Sequence, residues 1–370
     1  MIPTQPTDAS AIAAAQIVLP CAELSSTLAF FAALGFRVDA IHPADDPRVA
    51  VISGHGVCLR LDRDAVGAPG VLRLLCRDPA AVSGDAGALV APNGTRIELA
   101  AVDPPLILPP SRPSFVLCKM GEGAGWVEGR AGMRYRDLIP DRQGGRFIAS
   151  HIEIAAGGPV PDYVHFHKVA FQMIYCAQGW VRVVYEDQGP PFVLRAGDCV
   201  LQPPRIRHRV LESSAGLEVV EIGTPADHET FADHAMALPT PQIRADRNFD
   251  GQRFVRHQAS AAVWRPWRSE GFEARDLGIA DATFGLADVR VVRASGGTEV
   301  DVSARAADLL FTFVLNGEVT LACEGQGRQR LGPGDAFVVP PALPYALGEA
   351  SPSMELLEVL VHPRAERTPA

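Results

Sequence analysis

An internal repeat constrains the fold of this chain more than any other feature. The tripeptide Arg-Asp-Leu at 136–138 recurs at 275–277, an offset of 139 residues. The segment RAGDCVLQPPRIRH (195–208) corresponds to GPGDAFVVPPALPY (332–345), with an offset of 137 residues. A spacing of this size is the length of a whole domain and not that of a solenoid repeat. We therefore expect two consecutive domains that share one fold.

Both copies of the repeat have the pattern of a β-structure. Short apolar runs alternate with Gly and Pro turns, and helical periodicity is scarce. Gly179 in AQGWVRVVYE matches Gly317 in LNGEVTLACE, so the turns recur together with the strands. Such a pattern is typical of β-barrels and β-sandwiches. The predicted fold class is mainly β.

Two proline-rich segments divide the chain. VDPPLILPPSRPS (102–114) separates the first hundred residues from the repeat, and ALPTPQIRADRN (237–248) separates its two copies. Proline restricts the backbone and interrupts sheets, so both segments are predicted to be ordered linkers. The predicted domains are 1–105, 106–240 and 241–370.

The first hundred residues have a different, α+β pattern. AQIVLP (15–20) predicts a strand, and ELSSTLAFFAALG (23–35) has the apolar spacing of a helix that ends at Gly35. Three short strands follow, in FRVDAI, VAVIS and VCLRL. This β-α-β-β-β order resembles one module of the glyoxalase, or vicinal-oxygen-chelate, superfamily.

The glyoxalase-like resemblance implies a small domain without a metal of its own. APNGTRIELA (91–100) resembles the closing hairpin of that superfamily, and Glu98 falls at the position of its metal carboxylate. Gln16, however, stands where the superfamily has its first-strand histidine. The segment between Cys76 and Leu89 also leaves little room for a second helix. We expect this domain to contribute packing or assembly.

Composition limits the partners of the protein. The net charge is −9 and the pI about 5.6, whereas nucleic-acid binding needs a basic face. No apolar run reaches the length of a membrane span, and MIPTQPTDAS lacks the basic start of a secretory signal. The seven cysteines are scattered without a C-x-x-C pair, which favours reduced thiols. We expect a cytoplasmic protein that binds a small-molecule substrate and neither nucleic acid nor membrane; formation of a homo-oligomer stays open.

The segment DYVHFHKVAFQMIYCAQGWVRV (162–183) contains two histidines one residue apart. Alternate residues of a strand share a face, so His165 and His167 are predicted to point the same way. Two neutral imidazoles inside a barrel are costly to leave unpaired and are well placed to hold a divalent cation. The alternative is that buried polar side chains satisfy one another there.

This region resembles the two motifs of the cupin superfamily. The first motif is a histidine, any residue, a histidine, then a glutamate and a glycine, and the second runs from a glycine through a proline to a histidine. The matching positions are His165, His167, Gln172 and Gly179 in the first motif, and Gly197, Pro203 and His208 in the second. Gln172 replaces the usual glutamate, and Arg205 stands where the second motif usually has glycine.

The cupin resemblance implies two tandem barrels, of which the first holds a metal. Its ligands would be His165, His167, Gln172 and His208. We expect one divalent metal per chain, with Fe(II) favoured, although Mn, Ni, Cu and Zn also accept such ligands. Because imidazoles and an amide are neutral, the ion keeps its full charge, which favours an anionic, chelating substrate. This ligand set of three histidines and one glutamine is expected to lack a carboxylate that could act as a base.

The second copy of the repeat has lost these ligands. The equivalent positions hold Ser303, Arg305, Leu310 and Tyr345. The second barrel is therefore interpreted as a structural half without a metal. The alternative is a pocket that uses Arg305 and Tyr345.

Further candidates surround the predicted metal site. Tyr163 shares the strand face of the two histidines and is predicted to bind substrate at the pocket mouth. Arg205 lies on the loop before the last motif histidine and is predicted to bind an anionic substrate, the alternative being a surface residue without such a role. His228 and His234 are interpreted as parts of a solvated connection. The segment WRPWR (264–268) could stack on a ligand, but a partly buried connector is the favoured interpretation.

The resemblance implies an enzyme, because three-histidine bicupins are often non-haem iron dioxygenases that act on small oxygenated acids or phenols. A redox-neutral, metal-dependent isomerase or lyase is an alternative, since the fold does not fix the reaction. A cupin that binds a small molecule without catalysis is another. The sequence contains no recognisable nucleophile–base motif and no glycine-rich phosphate loop, so the catalytic residues stay unassigned.

Overall fold

The computed structural model describes residues 14–43, 47–83, 89–121, 125–129, 132–296, 299–302, 307–341 and 343–362. The chain forms two compact units, divided between Pro105 and Leu106. Strands dominate the described residues and the helices are short, which confirms the predicted mainly β class. No helix in these ranges is long and apolar enough to cross a membrane.

The smaller unit begins with the predicted β-α-β-β-β order, which is confirmed. Its elements are β1 (Ile17–Pro20), α1 (Leu24–Ala33), β2 (Arg37–His42), β3 (Val49–Gly54) and β4 (Val57–Asp62). They form one sheet in the order β1-β4-β3-β2, in which β1 and β4 are parallel. Helix α1 buries Leu24, Thr27 and Phe31 along one face. Just beyond its end, Gly35 has a left-handed φ of 86°, which closes the helix as its position predicts.

A second sheet completes the smaller unit. It consists of β5 (Val71–Cys76), β6 (Leu89–Val90) and β7 (Arg96–Ala101) in the order β5-β7-β6, with the short helix α2 (Pro79–Ser83) after β5. The two candidate positions of this unit, Gln16 and Glu98, are both exposed. Glu98 forms an ion pair with Arg96 over 3.1 Å.

The larger unit contains both copies of the repeat. The elements through the first copy are β8 (Val116–Cys118), β9 (Val127–Glu128), β10 (Arg134–Asp137), α3 (Arg142–Gly145), β11 (Ile148–Ile154), β12 (Gly158–Pro159), β13 (His165–His167), β14 (Phe171–Gln178), β15 (Trp180–Tyr185), β16 (Phe192–Arg195), β17 (Cys199–Leu201), β18 (His208–Ser213), β19 (Leu217–Thr224) and β20 (Thr230–Ala232). Those that follow are β21 (Asn248–Phe249), β22 (Gln252–Arg253), β23 (Val255–His257), a 3-10 turn (Ala259–Ala261), β24 (Arg265–Pro266), β25 (Phe272–Asp276), α4 (Ile279–Ala282), β26 (Ala287–Ala294), β27 (Val300–Val302), β28 (Leu309–Asn316), β29 (Val319–Cys323), β30 (Gly327–Leu331), β31 (Ala336–Val338), β32 (Tyr345–Gly348) and β33 (Glu355–Val361).

Each copy folds into a barrel of two facing sheets. In the first barrel the sheets have the orders β23-β17-β14-β19-β11-β10-β9 and β16-β15-β18-β13-β20. In the second barrel the orders are β24-β25-β26-β33-β28-β31-β8 and β27-β32-β29-β30. A separate apolar cluster fills each barrel, and a third cluster, which includes Phe171 and Phe311, joins the two large sheets.

The two barrels exchange strands. Strand β8 precedes the first barrel in the chain but pairs with β31 of the second. Strand β23 precedes the main strands of the second barrel but pairs with β17 of the first. The predicted segments 106–240 and 241–370 therefore each contain a strand that extends the sheet of the other barrel.

The repeated tripeptide places two buried arginines between the barrels. Arg136 of the first barrel donates a hydrogen bond to the carbonyl oxygen of Gly334 in the second, over 2.5 Å. Arg275 of the second barrel donates to the carbonyl oxygen of Gly197 in the first, over 3.0 Å. Both glycines adopt a left-handed φ, of 93° at Gly197 and 86° at Gly334. The arginine of the repeated tripeptide in each barrel thus binds the glycine turn of the other barrel, so the two contacts are reciprocal.

Candidate metal centre

Three histidines converge on the inner face of the first barrel. His165 and His167 lie on β13, and His208 begins the antiparallel strand β18, where it stands directly opposite His165. One nitrogen of each ring lies within 4.8 Å of the others. The ring centroids of His165 and His208 are 4.2 Å apart. Strand pairing therefore brings together the three histidines that the sequence predicted as ligands.

Hydrogen bonds at Nδ1 orient all three rings. The acceptors or partners are the Tyr163 carbonyl for His165 at 2.8 Å, the Thr230 hydroxyl for His167 at 2.9 Å, and the Ile206 carbonyl for His208 at 3.0 Å. A carbonyl can only accept, so Nδ1 carries the proton in His165 and His208, and Nε2 carries the lone pair. This is the usual arrangement of metal-binding histidines, whose second nitrogen is held by an oxygen.

Gln172 lies on β14 of the facing sheet and lines the same cavity. Its Nε2 donates a hydrogen bond to Oε1 of Glu221 over 2.7 Å. Its Oε1 is buried and has no hydrogen-bond partner among the described residues. An unpaired buried carbonyl oxygen costs about 1–3 kcal/mol. The three imidazole nitrogens fit a divalent metal ion, and Gln172 adds an unpaired acceptor to the residues that line the same cavity.

The predicted ligand set contains no carboxylate, but the cavity has one beside it. Glu221 lines the cavity and accepts the hydrogen bond from Gln172. It lies on β19, where it stands opposite Ile174, two positions along from the pair of Gln172 with Gly223. Its place depends on the register between β14 and β19, which motif spacing does not reveal. A bound ion would therefore have a carboxylate next to one of its predicted ligands.

The cavity around the histidines has a volume of about 290 Å³ and mostly apolar walls. Ile152, Ile174, Val183 and Leu194 are among the wall residues, and they come from both sheets. No lysine or arginine appears among the described lining residues. A space of this size suits a small molecule with an apolar body, near the lower end of ligand pockets.

Tyr185 adds a protonated hydroxyl to the cavity wall. Its ring lies nearly parallel to that of His208, at 21° with 5.4 Å between centroids. Its hydroxyl oxygen accepts a hydrogen bond from Nε2 of Gln202 over 2.9 Å. Burial raises the pKa of Tyr185 well above its ordinary value, so the phenol keeps its proton at neutral pH. The sequence pattern gave no signal for this residue beyond an apolar strand.

His228 corrects one expectation from the sequence. It was interpreted as part of a solvated connection, but it lines the cavity, and its ring lies 5.4 Å from that of His167. Its Nδ1 is 3.0 Å from the Pro225 carbonyl oxygen. Strand β20 pairs with β13 and carries the neighbouring segment to the site. The sequence spacing of His228 and His234 could not show this, because the pairing is not local.

The two predicted substrate-binding residues lie outside the cavity lining. Tyr163 is 40% exposed, and its ring centroid is 6.0 Å from that of His165. Arg205 is exposed, and its backbone N–H donates to the carbonyl oxygen of His167 over 3.1 Å. Arg205 also has a left-handed φ of 62°, a conformation that glycine adopts without cost. Their role in substrate binding stays a prediction.

The positions of the second barrel that correspond to the predicted ligands of the first hold other residue types. Leu310 and Tyr345 belong to the apolar cluster that fills it. Ser303 and Arg305, the other two equivalent positions, lie outside the described residues. Within the described parts of the chain, the group of His165, His167 and His208 is the one cluster with metal-ligand spacing.

Comparison with known proteins supports the cupin resemblance. The family described as Cupin domain matches residues 150–223, which span β11 to β19 of the first barrel. These residues form a cupin domain whose three-histidine cluster could bind a metal. A comparison with curated proteins gave no significant match.

Solved structures share the two-barrel fold. Oxalate decarboxylase from Bacillus subtilis, at pH 4.6, is 12% identical with a TM-score of 0.52, over 70% of this chain and 78% of its own. The formate complex of Lactobacillus farciminis oxalate decarboxylase is 13% identical with a TM-score of 0.50, over 69% and 90%. At such identities the likeness shows the fold and not the activity. None of these matches supports a glyoxalase-like assignment of the first hundred residues, which stays a prediction.

Proposed function

We propose that the first barrel is the active site of a metal-dependent cupin enzyme, a non-haem Fe(II) dioxygenase that acts on a small phenolic or related oxygenated substrate. One observation carries the proposal: three histidines with oriented rings meet at the wall of a mostly apolar cavity. An iron ion held there would supply a Lewis acid and one-electron chemistry with dioxygen. Mn, Ni, Cu or Zn would fit the same ligands.

The residues of the chain have distinct tasks in this proposal. His165, His167 and His208 hold the ion through Nε2, because their Nδ1 atoms are engaged by oxygens. Gln172 would offer its unpaired Oε1 to the ion or to a ligand of it, while Glu221 fixes its amide nitrogen. The protonated hydroxyl of Tyr185 can donate to an oxygen of the substrate.

The walls of the cavity favour a substrate with an apolar body. Ile152, Ile174 and Val183 offer no hydrogen bonds, and a small dicarboxylate would leave one of its charges against such side chains. No lysine or arginine among the described lining residues could neutralise that second charge. A phenol or aromatic acid places one oxygen-bearing edge at the histidines and buries its ring.

The test is oxygen consumption by the protein reconstituted with Fe(II) under anaerobic conditions and then mixed with aerated substrate. The screen contains hydroxylated aromatic acids, catechols and keto acids, with oxalate as a small dicarboxylate control. We expect uptake of dioxygen with an aromatic substrate, and none with the His208→Ala variant. Full uptake by His208→Ala, or no uptake with any substrate, contradicts the dioxygenase proposal.

A redox-neutral isomerase or lyase is the second candidate, and Glu221 favours it. A carboxylate inside the cavity can accept a proton from a substrate, which such reactions require. The same screen separates the two classes. A product that forms at an equal rate without dioxygen assigns the isomerase or lyase reaction. Saturable ligand binding without any product would indicate a cupin that binds without catalysis.

A further inference from the structure

The outer face of the first barrel carries a group of side chains directly behind the three histidines. Alternate residues of a strand point to opposite faces, so Phe166, between the two histidines of β13, lies on the outer face. Arg207 immediately precedes His208, the first residue of β18. Its guanidinium lies over the ring of Phe166 at 4.2 Å. The residue before the third histidine thus packs on the residue between the first two.

The same guanidinium makes directional contacts in two further directions. Its Nε donates to Oδ2 of Asp233 over 3.1 Å, and its Nη1 donates to the carbonyl oxygen of Arg205 over 3.3 Å. The side chain of Arg207 is 28% exposed and that of Asp233 is 20% exposed, so the ion pair is partly shielded from water. The backbone of Arg207 is held as well, because its N–H donates to the Glu186 carboxylate and its carbonyl accepts from the Glu186 N–H. Arg207 is therefore a fixed anchor point on this face.

Asp233 directly follows β20, the strand at the end of this sheet. Among the described residues, β20 pairs with β13 alone, and all three of its residues are exposed. Exposed strands with few apolar contacts open locally at a low free energy. Phe231 of β20 stacks on Phe166 at 5.2 Å, and the N–H of Asp233 donates to the Val164 carbonyl oxygen over 2.8 Å. Of the contacts named, only the ion pair with Arg207 reaches beyond β13, to the segment before β18.

Strand β20 matters to the metal centre because it begins with Thr230. The Thr230 hydroxyl lies 2.9 Å from Nδ1 of His167, and this hydrogen bond orients the ring. His165 and His208 are oriented instead by carbonyl oxygens of residues two positions earlier in the chain. The orientation of His167 thus depends on a partner from another strand. A displacement of β20 would disturb this ligand and leave the hydrogen bonds of the other two in place.

We propose that Arg207 is a positioning residue of the metal centre, which fastens β20 across the outer face and thereby keeps Thr230 at His167. The inference rests on the metal centre of the proposed function and adds to it a group that is not among the residues lining the cavity. A guanidinium suits the task, because it stacks on an aromatic plane and donates hydrogen bonds in its own plane at the same time. Its effect on the ion passes through the hydrogen bond that orients a ligand.

The experiment measures two quantities on the full-length protein: the affinity for Co(II), by competition with a chelator, and the amide hydrogen exchange of segment 228–234 without metal. Arg207→Met removes the charge and the donors. It should weaken Co(II) binding about three- to tenfold, less than loss of a direct partner of a ligand, because it acts through one. It should also speed the exchange of segment 228–234 by about threefold or more. Arg207→Lys keeps the charge opposite Asp233 and should recover part of the affinity.

Arg182→Met is the matched control. Arg182 forms an ion pair with Glu212 over 2.8 Å, on strands β15 and β18 of the same sheet. Its neighbours Val181 and Val183 line the cavity, so Arg182 lies on the outer face, as Arg207 does. Loss of this pair removes an arginine–carboxylate contact of the same kind without touching β20. We therefore expect Arg182→Met to match the wild type in Co(II) affinity and in the exchange of β20.

Thr230→Val tests the route by which Arg207 acts. It removes the hydroxyl at His167 and leaves the side chains of Arg207 and Asp233 in place. We expect it to weaken Co(II) binding at least as much as Arg207→Met. Because both changes act on one hydrogen bond, the double variant should bind Co(II) no more weakly than Thr230→Val alone. Full additivity of the two losses overturns the proposed route.

The outcomes separate this inference from the proposed function. Weaker Co(II) binding together with faster exchange in Arg207→Met, but not in Arg182→Met, supports the positioning role. Unchanged affinity or unchanged exchange in Arg207→Met overturns it, and so does an equal loss in Arg182→Met. Asp233→Asn removes the same ion pair from its other side and takes the place of Arg207→Met if that variant folds poorly. If the wild type itself bound no Co(II), the proposed function would fail, while the exchange of segment 228–234 would still decide whether Arg207 holds the strand.

Discussion

Arg275 of the second barrel donates a hydrogen bond to the carbonyl oxygen of Gly197 in the first barrel, over 3.0 Å. The same guanidinium donates to the hydroxyl of Tyr175 over 2.9 Å and contacts Nε2 of His257 at 3.1 Å. Arg136 makes the reciprocal contact to the second barrel. A buried arginine with several acceptors is costly to remove, because the acceptors remain buried without donors. The barrels are therefore expected to depend on each other for stability.

We expect Arg275→Met to lower the free energy of unfolding by about 2–4 kcal/mol. Methionine fills part of the volume but leaves the carbonyl of Gly197 and the hydroxyl of Tyr175 without their donor. Urea denaturation followed by tryptophan fluorescence measures the effect. The matched control is Arg293→Met, since Arg293 lies in the same sheet but is paired with Glu273 at the surface. Equal stabilities of the two variants would show that the contact between barrels contributes nothing.

The repeat made these features of the fold predictable. The tripeptide at 136–138 and 275–277 and the glycine turns around Gly197 and Gly334 recur because each arginine binds the turn of the other barrel. The three histidines could be found because their motif has short-range spacing on β13 and a turn before β18. At these positions the residues that make the tertiary contacts also belong to a repeat or a short motif, so the sequence alone reveals them.

Other parts of the site could not be predicted, because they depend on strand register. Glu221 reaches Gln172 from 49 positions later in the chain, and no motif marks it. His228 enters the cavity through the pairing of β20 with β13. The left-handed backbone of Arg205 had one indirect signal, the glycine that the second motif usually has at this position, because the residue type itself rarely adopts such a φ. Exchange of β8 and β23 between the barrels is likewise a matter of tertiary pairing.

A prediction of metal content follows from the histidine cluster. We expect one divalent ion per chain in the wild type, and less than a tenth of that in His167→Ala, because two imidazoles hold an ion far more weakly than three. The control is His228→Ala, whose ring lies in the same cavity but outside the cluster. Elemental analysis of protein purified without chelators gives the stoichiometry. Two equivalents in the wild type, or a full equivalent in His167→Ala, contradicts the assignment.

A pH dependence of stability follows from Glu218. Its hydrogen bond with His151, at 2.8 Å, and the charge of Arg136 hold the pKa of this carboxyl below its ordinary value of 4.5, against the opposing effect of burial. The stability that the ionised Glu218 carboxylate contributes is therefore fully present above its ordinary pKa of 4.5. It is lost as the pH falls through the lowered pKa of the folded state. We expect Glu218→Gln to be less stable than the wild type by about 1 kcal/mol at neutral pH. Urea denaturation between pH 7 and pH 3 should show this difference vanish at the acid end; a constant difference contradicts the linkage.

The exposed position of Arg205 leads to a prediction about substrate capture. Glycine suits the φ of 62° at this position, so Arg205→Gly removes the charge while the backbone keeps its conformation. We expect unchanged metal content and a KM for an anionic substrate that rises about two- to fivefold at low salt, because an exposed charge acts through a screened field. The increase should disappear at high ionic strength. A KM that is unaffected at low salt removes Arg205 from substrate binding.

The last prediction concerns the amide of Gln172, which lies between the predicted metal site and Glu221. Gln172→Glu would replace the donor of that hydrogen bond with a second carboxylate, and two such groups at this distance repel unless a proton or a cation lies between them. We therefore expect the variant to bind a divalent metal at least as tightly as the wild type, but to raise the KM of an anionic substrate by roughly tenfold through the added negative charge. Chelator competition and steady-state kinetics measure the two quantities on the same preparations. The double exchange Gln172→Glu with Glu221→Gln keeps one amide and one carboxylate, and should recover most of the lost affinity for substrate. If the single variant bound and converted the anionic substrate as well as the wild type, the negative charge at position 172 would not determine the affinity for substrate. Glutamine and glutamate would then be equivalent at this position.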